Sequence, residues 1–166
     1  MTELLTDAAA FARAGADGIR ALTEAATRST YYADWMGTAE HAAIERIVNL
    51  AVPSCTAAAA SPDQHFAAAF VDGALAGFVI ATLHAEDDRE LDWLMVHPVF
   101  QGKGVAATLM EAGMAWLGRE RPMWLNVVQH NARAVRFYGR FGFEVDPATV
   151  LDRAIPMHVM RRAPAP

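Results

Sequence analysis

The sequence predicts a mixed α/β sheet with helices packed on it. Three observations carry that expectation. From residue 65 onward the pattern reads strand, strand, strand, helix, strand, helix, strand. The pair Asp72-Gly73 falls between two apolar runs, His65–Val71 and Ala74–Leu83, the strongest short hairpin signal a sequence offers. Leu109, Met110, Met114 and Leu117 recur at helical spacing between two strand-like runs.

Taken in order, residues 1 to 50 read mainly as helical, through Ile19, Leu22, Ala26 and Ala33. A short strand at Gly18–Leu22 is an open alternative. Thr38 is a good N-cap for a helix running to about Leu50, and Pro53 should end it. Residues 53–64 then form an Ala/Ser/Pro-rich connector. After the hairpin comes a polar acidic turn, Ala85 to Arg89. Leu91–Val96 reads as a third strand buried on both faces and closed by Pro98. A glycine-punctuated loop, Gln101–Gly104, precedes a helix over Val105–Leu117. Met123–Val128 is a strand. Asn131–Phe141 is a helix with Gly142 as its C-cap, and Ile155–Met160 is the last strand.

Composition narrows the class. At 166 residues, 54% hydrophobic and 20% charged, the chain suits one ordered domain with a substantial core. The single cysteine, Cys55, excludes an internal disulfide and a cysteine-based zinc cluster. No histidine pair has ligand spacing, so no metal is expected. The most apolar stretch, Ala74–Leu83, is about half a membrane span, and Met1–Asp7 lacks signal-peptide character. A soluble cytoplasmic chain with no membrane segment is the expectation. The net charge of -5 argues against a sequence-independent nucleic-acid binder and is compatible with a cationic ligand. Lys103 is the only lysine, and five acids crowd between Glu86 and Asp92.

The segment Leu91 to Met110 carries the chemistry. A strand ends, a loop with Gly102 and Gly104 follows, and a helix begins. Free backbone N–H groups and the helix dipole make such a junction attractive to anions. The glycines permit left-handed angles and close approach of a ligand. Lys103 would add a charge inside this pyrophosphate cradle. The spacing excludes a Walker A loop. Gly102-Lys-Gly104-Val-Ala-Ala107 does fit a dinucleotide turn, but His97 to Gln101 intervene where that turn is tight, and the next strand ends without the acid that holds a ribose.

Gln101-Gly-Lys-Gly104-Val-Ala106 instead resembles motif A of the GNAT acetyltransferase superfamily, preceded by the family-like Val96-His97-Pro98. Asn131-Ala-Arg-Ala-Val-Arg-Phe-Tyr138-Gly-Arg-Phe-Gly142-Phe143 is similar to its motif B. The resemblance spans residues 65–160. It implies a mixed, mostly antiparallel central sheet flanked by helices, in one domain over residues 1–166. Residues 1–60 would be a helical acceptor-side segment and 65–160 a cofactor-binding core.

The resemblance further implies acetyl-CoA as cosubstrate and an N-acetyltransferase acting on a primary amine, small molecule or peptide, by direct transfer in a ternary complex. The amides of Gln101, Gly102, Lys103, Gly104, Val105 and Ala106 would hold the pyrophosphate. A bulged third strand would pair with the pantetheine arm and aim an N–H near Met95 or Val96 at the thioester carbonyl. Asn131 would contact the cofactor arm, and Tyr138 would be the general acid. Glu90 or Asp92, two apart and so on one face, would be the base, with His84, His97, His130 and His158 as rivals. Tyr31, Tyr32, Trp35 and the segment 146–156 would select the acceptor, although at least two of those three aromatics are expected to be core. A homodimer through the last strands is common among relatives. Two other readings stand beside this one, a non-catalytic acyl-CoA-binding module and a nicotinamide enzyme.

Overall fold

The computed structural model describes residues 1–149 and 151–164. In chain order the elements are β1 (Thr2–Thr6), α1 (Asp7–Ala14), α2 (Ala16–Thr30), α3 (Thr38–Ala60), β2 (Gln64–Val71), β3 (Ala74–Ala85) and β4 (Asp88–Val96). A 3-10 turn (Pro98–Phe100) leads to α4 (Val105–Leu117), β5 (Met123–Val128), α5 (Ala132–Gly139), β6 (Glu144–Val145) and β7 (Met157–Arg162). The strands form one sheet in the order β1-β2-β3-β4-β5-β7-β6. Every neighbouring pair is antiparallel except β4 with β5. The expected mixed, mostly antiparallel sheet flanked by helices is what the chain forms.

Strand alternation sends side chains to two cores. Val79, Leu91 and Leu125 meet Leu109, Met114 and Leu117 of α4 on one face. Phe66, Phe78 and Ile80 meet Ile19, Leu22, Ala51 and Cys55 of α2 and α3 on the other. Each such fully buried Leu, Ile or Phe contributes about 1.5–3 kcal/mol of burial.

The amino-terminal third settles one open alternative and departs from expectation elsewhere. Gly18–Leu22 is helix, inside α2: Ile19, Leu22 and Ala26 recur at helical spacing and all three are buried. Residues 2–6 are not helical but an edge strand on β2, registered Thr2↔Val71 to Thr6↔Ala67. The N-cap of α3 is Gly37 rather than Thr38, and its N–H donates to Glu40 Oε2 at 2.9 Å. Pro53 does not end α3, which runs on to Ala60. The expected connector at 53–64 is mostly helix, because Ala51, Cys55 and Ala58 make a fully buried stripe at i, i+4, i+7 and alanine favours helix. That burial outweighs the hydrogen bond lost at the proline.

The carboxy-terminal half follows the sequence more closely. The helix over Val105–Leu117 and the strand over Met123–Val128 have the expected bounds. Gly142 has φ +87° and closes α5. Its N–H donates to the Gly139 carbonyl at 3.1 Å, and the Phe143 N–H donates to the Tyr138 carbonyl at 3.3 Å, a Schellman closure. The last strand begins at Met157 rather than Ile155. Pro156 precedes it, and Ile155 is buried in a small satellite core beside Val128 instead. The short β6 was not legible.

Strand β4 is not buried on both faces along its length. Leu91 and Met95 are buried, while Asp92, Leu94 and Val96 are half-buried. The reason is a gap in the sheet. β4 and β5 register only at Glu90↔Trp124 among the described residues. Beyond that point the two strands diverge, and the space between them is the site.

Candidate active site

A cavity of about 930 Å³ fills the gap. Leu94, Met95 and Val96 of β4 form one wall, and Asn126, Val127 and Val128 of β5 form the other. Such a gap leaves one edge of β4 without a strand partner, and unpaired backbone groups inside a protein need one. A bulge shapes this edge. Phe78 pairs with Met95 and Ile80 with Asp92, so Val79 alone faces both Trp93 and Leu94. Trp93 has φ +47°, and its N–H donates to Asp92 Oδ1 at 2.8 Å. The N–H of His97 points to β3, donating to the Ala76 carbonyl at 2.9 Å. Alternation therefore turns the Val96 N–H into the gap and that of Met95 toward β3. Of the two expected donors, Val96 is the one the strand aims at the cavity, while Met95 supplies wall.

One end of the cavity is the start of α4. Gln101, Gly102, Gly104 and Ala106 line it. Gly102 and Gly104 have φ +77° and +83°, and a side chain on either would meet open space. The glycines are needed for the left-handed turn that lays the loop amides along the cavity. Val105 is buried in the α4 core, so only its backbone can serve a ligand. Lys103 does not enter the cradle. Its ammonium lies over the Phe100 ring, 5.5 Å from the centroid, and it is absent from the cavity wall. The positive charge comes instead from Arg133 and Arg136 of α5 and Arg140 at its C-cap, which line the cavity. Their i, i+3, i+7 spacing was the available signal, and it reads equally as an ordinary solvated helix face. Asn131 lines the cavity too, but its side-chain oxygen caps α5, accepting from the Ala134 N–H at 3.1 Å.

Tyr138 and Tyr31 also line the cavity. Burial, then the neighbouring Tyr31 and the Asp92 charge, hold the Tyr138 phenol well above its ordinary value. It is therefore protonated across the physiological range. Tyr31 is pushed up to about 12 by burial and by Asp92.

Asp92 stands behind this wall, on the face of β4 turned toward α2 and α3. It is coupled to Tyr31 and Tyr138. Burial first and the charge of Glu90 second push it up to about 7; the Trp93 N–H, His84 and Arg153 act against them. Glu90 is buried and sits 2.7 Å from His84 Nε2. Cys55 shares the core beside Asp92, which together with burial pushes its thiol up to about 12, so it is no nucleophile at neutral pH.

The other expected residues fall outside the cavity wall. His97 accepts from the Val99 N–H, and His130 Nε2 donates to the Tyr31 carbonyl at 2.8 Å. His158 stands in β7 opposite Val127. Tyr32 and Trp35 are exposed, stacked on His41 and edge-on to His130 respectively. Neither is core, contrary to expectation, because the loop from Tyr31 to Gly37 runs over the surface. Val150, within the expected acceptor segment 146–156, lies outside the described residues.

One residue of the wall escaped the sequence reading. Asn126 is a polar side chain in an otherwise apolar strand, and its Oδ1 is buried with no hydrogen-bond partner among the described residues. An unmatched buried acceptor is costly and marks a wall built for something other than stability.

Known proteins resemble this chain in sequence and fold. The chain is 29% identical over 85 residues to the spermine/spermidine N(1)-acetyltransferase of Bacillus subtilis, which covers 45% of this chain and 56% of that protein. It is 38% identical over 82 residues to the streptothricin acetyltransferase of Streptomyces lavendulae, covering 47% and 43%. The chain thus spans about half the length of the curated relatives it matches. The crystal structure of PaiA N-acetyltransferase from Thermoplasma acidophilum, in complex with coenzyme A, superposes with a TM-score of 0.79 at 17% identity, over 98% of this chain and 99% of that one. The sequence profile of the acetyltransferase (GNAT) family matches residues 19–143. With that match over three quarters of its length, the chain belongs to the GNAT acetyltransferase family.

Proposed function

We propose that this protein transfers the acetyl group of acetyl-CoA to a primary amine, by direct attack in a ternary complex. The observation that carries the reading is the gap between β4 and β5. Its wall carries a helix-terminus cradle, three arginines and a protonated phenol. The residues suit the cofactor. Within the loop the Gln101 and Lys103 N–H groups donate to the Pro98 and Phe100 carbonyls, so the amides of Gly102, Gly104, Val105 and Ala106 are the ones that offer donors for a pyrophosphate. Arg133, Arg136 and Arg140 offer charge for a further phosphate. The free edge of β4 suits an amide-bearing arm added like a strand.

Bound acetyl-CoA supplies the thioester carbon that an amine attacks. The chain's own groups divide the remaining work. The Val96 N–H stabilises the oxygen that gains charge. Tyr138 protonates the departing sulfur. Asp92, poised near neutrality, takes a proton from the incoming ammonium, with Glu90 behind it. Asn126 Oδ1, once its amide turns toward the cavity, accepts from the acceptor nitrogen. Cys55, the single cysteine, is buried and held as the unreactive thiol, which supports direct transfer over a covalent acyl-enzyme.

A cationic amine is the acceptor class supported best. Carboxylates Glu90 and Asp92 lie on the acceptor face, and two relatives carry names that specify cationic amines. The test is release of coenzyme A thiol across a panel of polyamines, aminoglycoside-like amines and peptide N-termini. Turnover on at least one cationic amine is expected, and Tyr138→Phe should lower kcat by about ten- to a thousand-fold with cofactor affinity unchanged. Tight acetyl-CoA binding with no turnover on any amine would instead mark a non-catalytic acyl-CoA-binding module.

A further inference from the structure

We propose that His84 carries the acceptor's surplus proton out of the site, along a line that runs from Asp92 through Glu90 to solvent. This rests on the amine-transfer reading above. Atom balance creates the need. An alkylammonium enters with three protons on nitrogen, and the amide product keeps one. The first to leave goes to Asp92 before attack. The second leaves as the C–N bond forms and the C–S bond breaks, and it replaces the proton that Tyr138 has given to sulfur. The proton on Asp92 therefore has no destination inside the cavity, and turnover requires that it depart.

The structure supplies the outer step of such a route by contact, and strand alternation supports the inner one. Glu90 and Asp92 lie two apart on β4 and share a face. Glu90 is buried, and its carboxylate meets His84 Nε2 at 2.7 Å across β3 and β4. The imidazole is held flat against Trp124, with ring centroids 6.0 Å apart at 18°. The Trp124 indole is itself pinned by donating to Asp88 Oδ1 at 2.7 Å. The His84 side chain is 42% exposed and lines a separate surface cleft of about 310 Å³ with Asp63, Glu86 and Arg89. It thus touches a buried carboxylate with one nitrogen and can meet water with the other. A proton arriving on Glu90 crosses to Nε2 while Nδ1 releases one to solvent. The other titratable neighbours of Asp92 are Tyr31, Cys55 on α3, Tyr138 on α5 and Arg153 ahead of β7. The tyrosines and the thiol stay protonated, and the arginine stays charged and takes up no proton near neutrality. Glu90 and His84 are the groups that can relay.

The test compares His84→Gln with the unaltered protein at saturating acetyl-CoA and amine, in weak buffer between about pH 6 and 9. Glutamine keeps a hydrogen bond to Glu90 but cannot shuttle a proton. The expected result is a kcat lowered by about ten- to a hundred-fold, recovered progressively by added imidazole, with acetyl-CoA affinity unchanged by calorimetry. Glu90→Gln should show the same loss without imidazole recovery. Full kcat in either variant overturns the relay. So does a loss in His84→Gln that imidazole leaves untouched, since that would mean the ring merely props the strand. If the unaltered protein transfers acetyl to no amine, the parent reading fails and the relay fails with it.

Discussion

Asp92 and Tyr138 carry opposite protons for the same physical reason. Both are taken out of water, and burial favours the uncharged form of each. For the phenol this keeps the proton that the proposed acid gives. For the carboxylate it pushes the pKa up to about 7, which suits the proposed base. The base works only when ionised, so kcat/KM should climb about tenfold per pH unit below 7 and level off above it. The linked stability has a definite sign. A carboxyl whose folded value lies above its ordinary 3.8 binds more protons folded than unfolded, so it loses stability as pH rises from about 4 through 7. Asp92→Asn can still accept from the Trp93 N–H. It should therefore raise stability at pH 8, by an amount on the order of a few kcal/mol, and change little near pH 4. Thermal melts at both pH values check this; equal shifts at the two would contradict the burial argument. At this scale the sequence was informative where a residue type has few other uses in a motif. Tyr138, Gln101 and Asn131 reach the cavity as expected. Lys103 was misread because position in a loop does not fix side-chain direction, and the Phe100 ring captures its ammonium. The α5 arginines were overlooked because a basic helix face most often simply faces solvent.

Among the elements, α3 shows how burial overrides a local signal. A proline in a helix interior removes one hydrogen bond and costs about 3 kcal/mol. Pro53 is exposed on α3, so its ring adds nothing to the core that alanine would lose. Pro53→Ala should restore the bond to the Asn49 carbonyl. After the greater freedom of the unfolded chain is counted, a net gain of about 1–2 kcal/mol remains, or a Tm about 3–6 °C higher. A lower Tm would show that the proline sets a bend the core requires. Elements with strong periodicity and punctuation, α4 and the β2–β3 hairpin, were legible because propensity, pattern and turn chemistry agree. The edge strand β1 was not. Its side chains are mostly exposed, so its pairing is held by backbone bonds that leave little trace in the residue pattern.

For the whole molecule, function follows from one sheet that fails to close. β3 pairs with β4 over most of its length, and β5 pairs with β7 over all of its own. Between β4 and β5 the pairing stops after Glu90↔Trp124. The gap sets the two halves of the chemistry on opposite faces, with the cradle and arginines of α4 and α5 on one side and the carboxylates facing α2 and α3 on the other. No single segment encodes this. The motifs at Gln101–Ala106 and Asn131–Phe143 were readable because each is local. Asn126, Tyr31 and the His84–Glu90 pair come together only through the fold, from segments up to about a hundred residues apart. Among the described residues no helix is long and apolar enough to cross a membrane.

The measurement that bears most directly on this account is a crystal structure of the protein grown with coenzyme A. The account predicts the pantetheine arm lying between β4 and β5 against the Val96 backbone, the pyrophosphate on the amides of Gly102, Gly104, Val105 and Ala106, and the sulfur within hydrogen-bond reach of the Tyr138 hydroxyl. Coenzyme A bound elsewhere, or a gap still lined only by protein at saturating ligand, would contradict it.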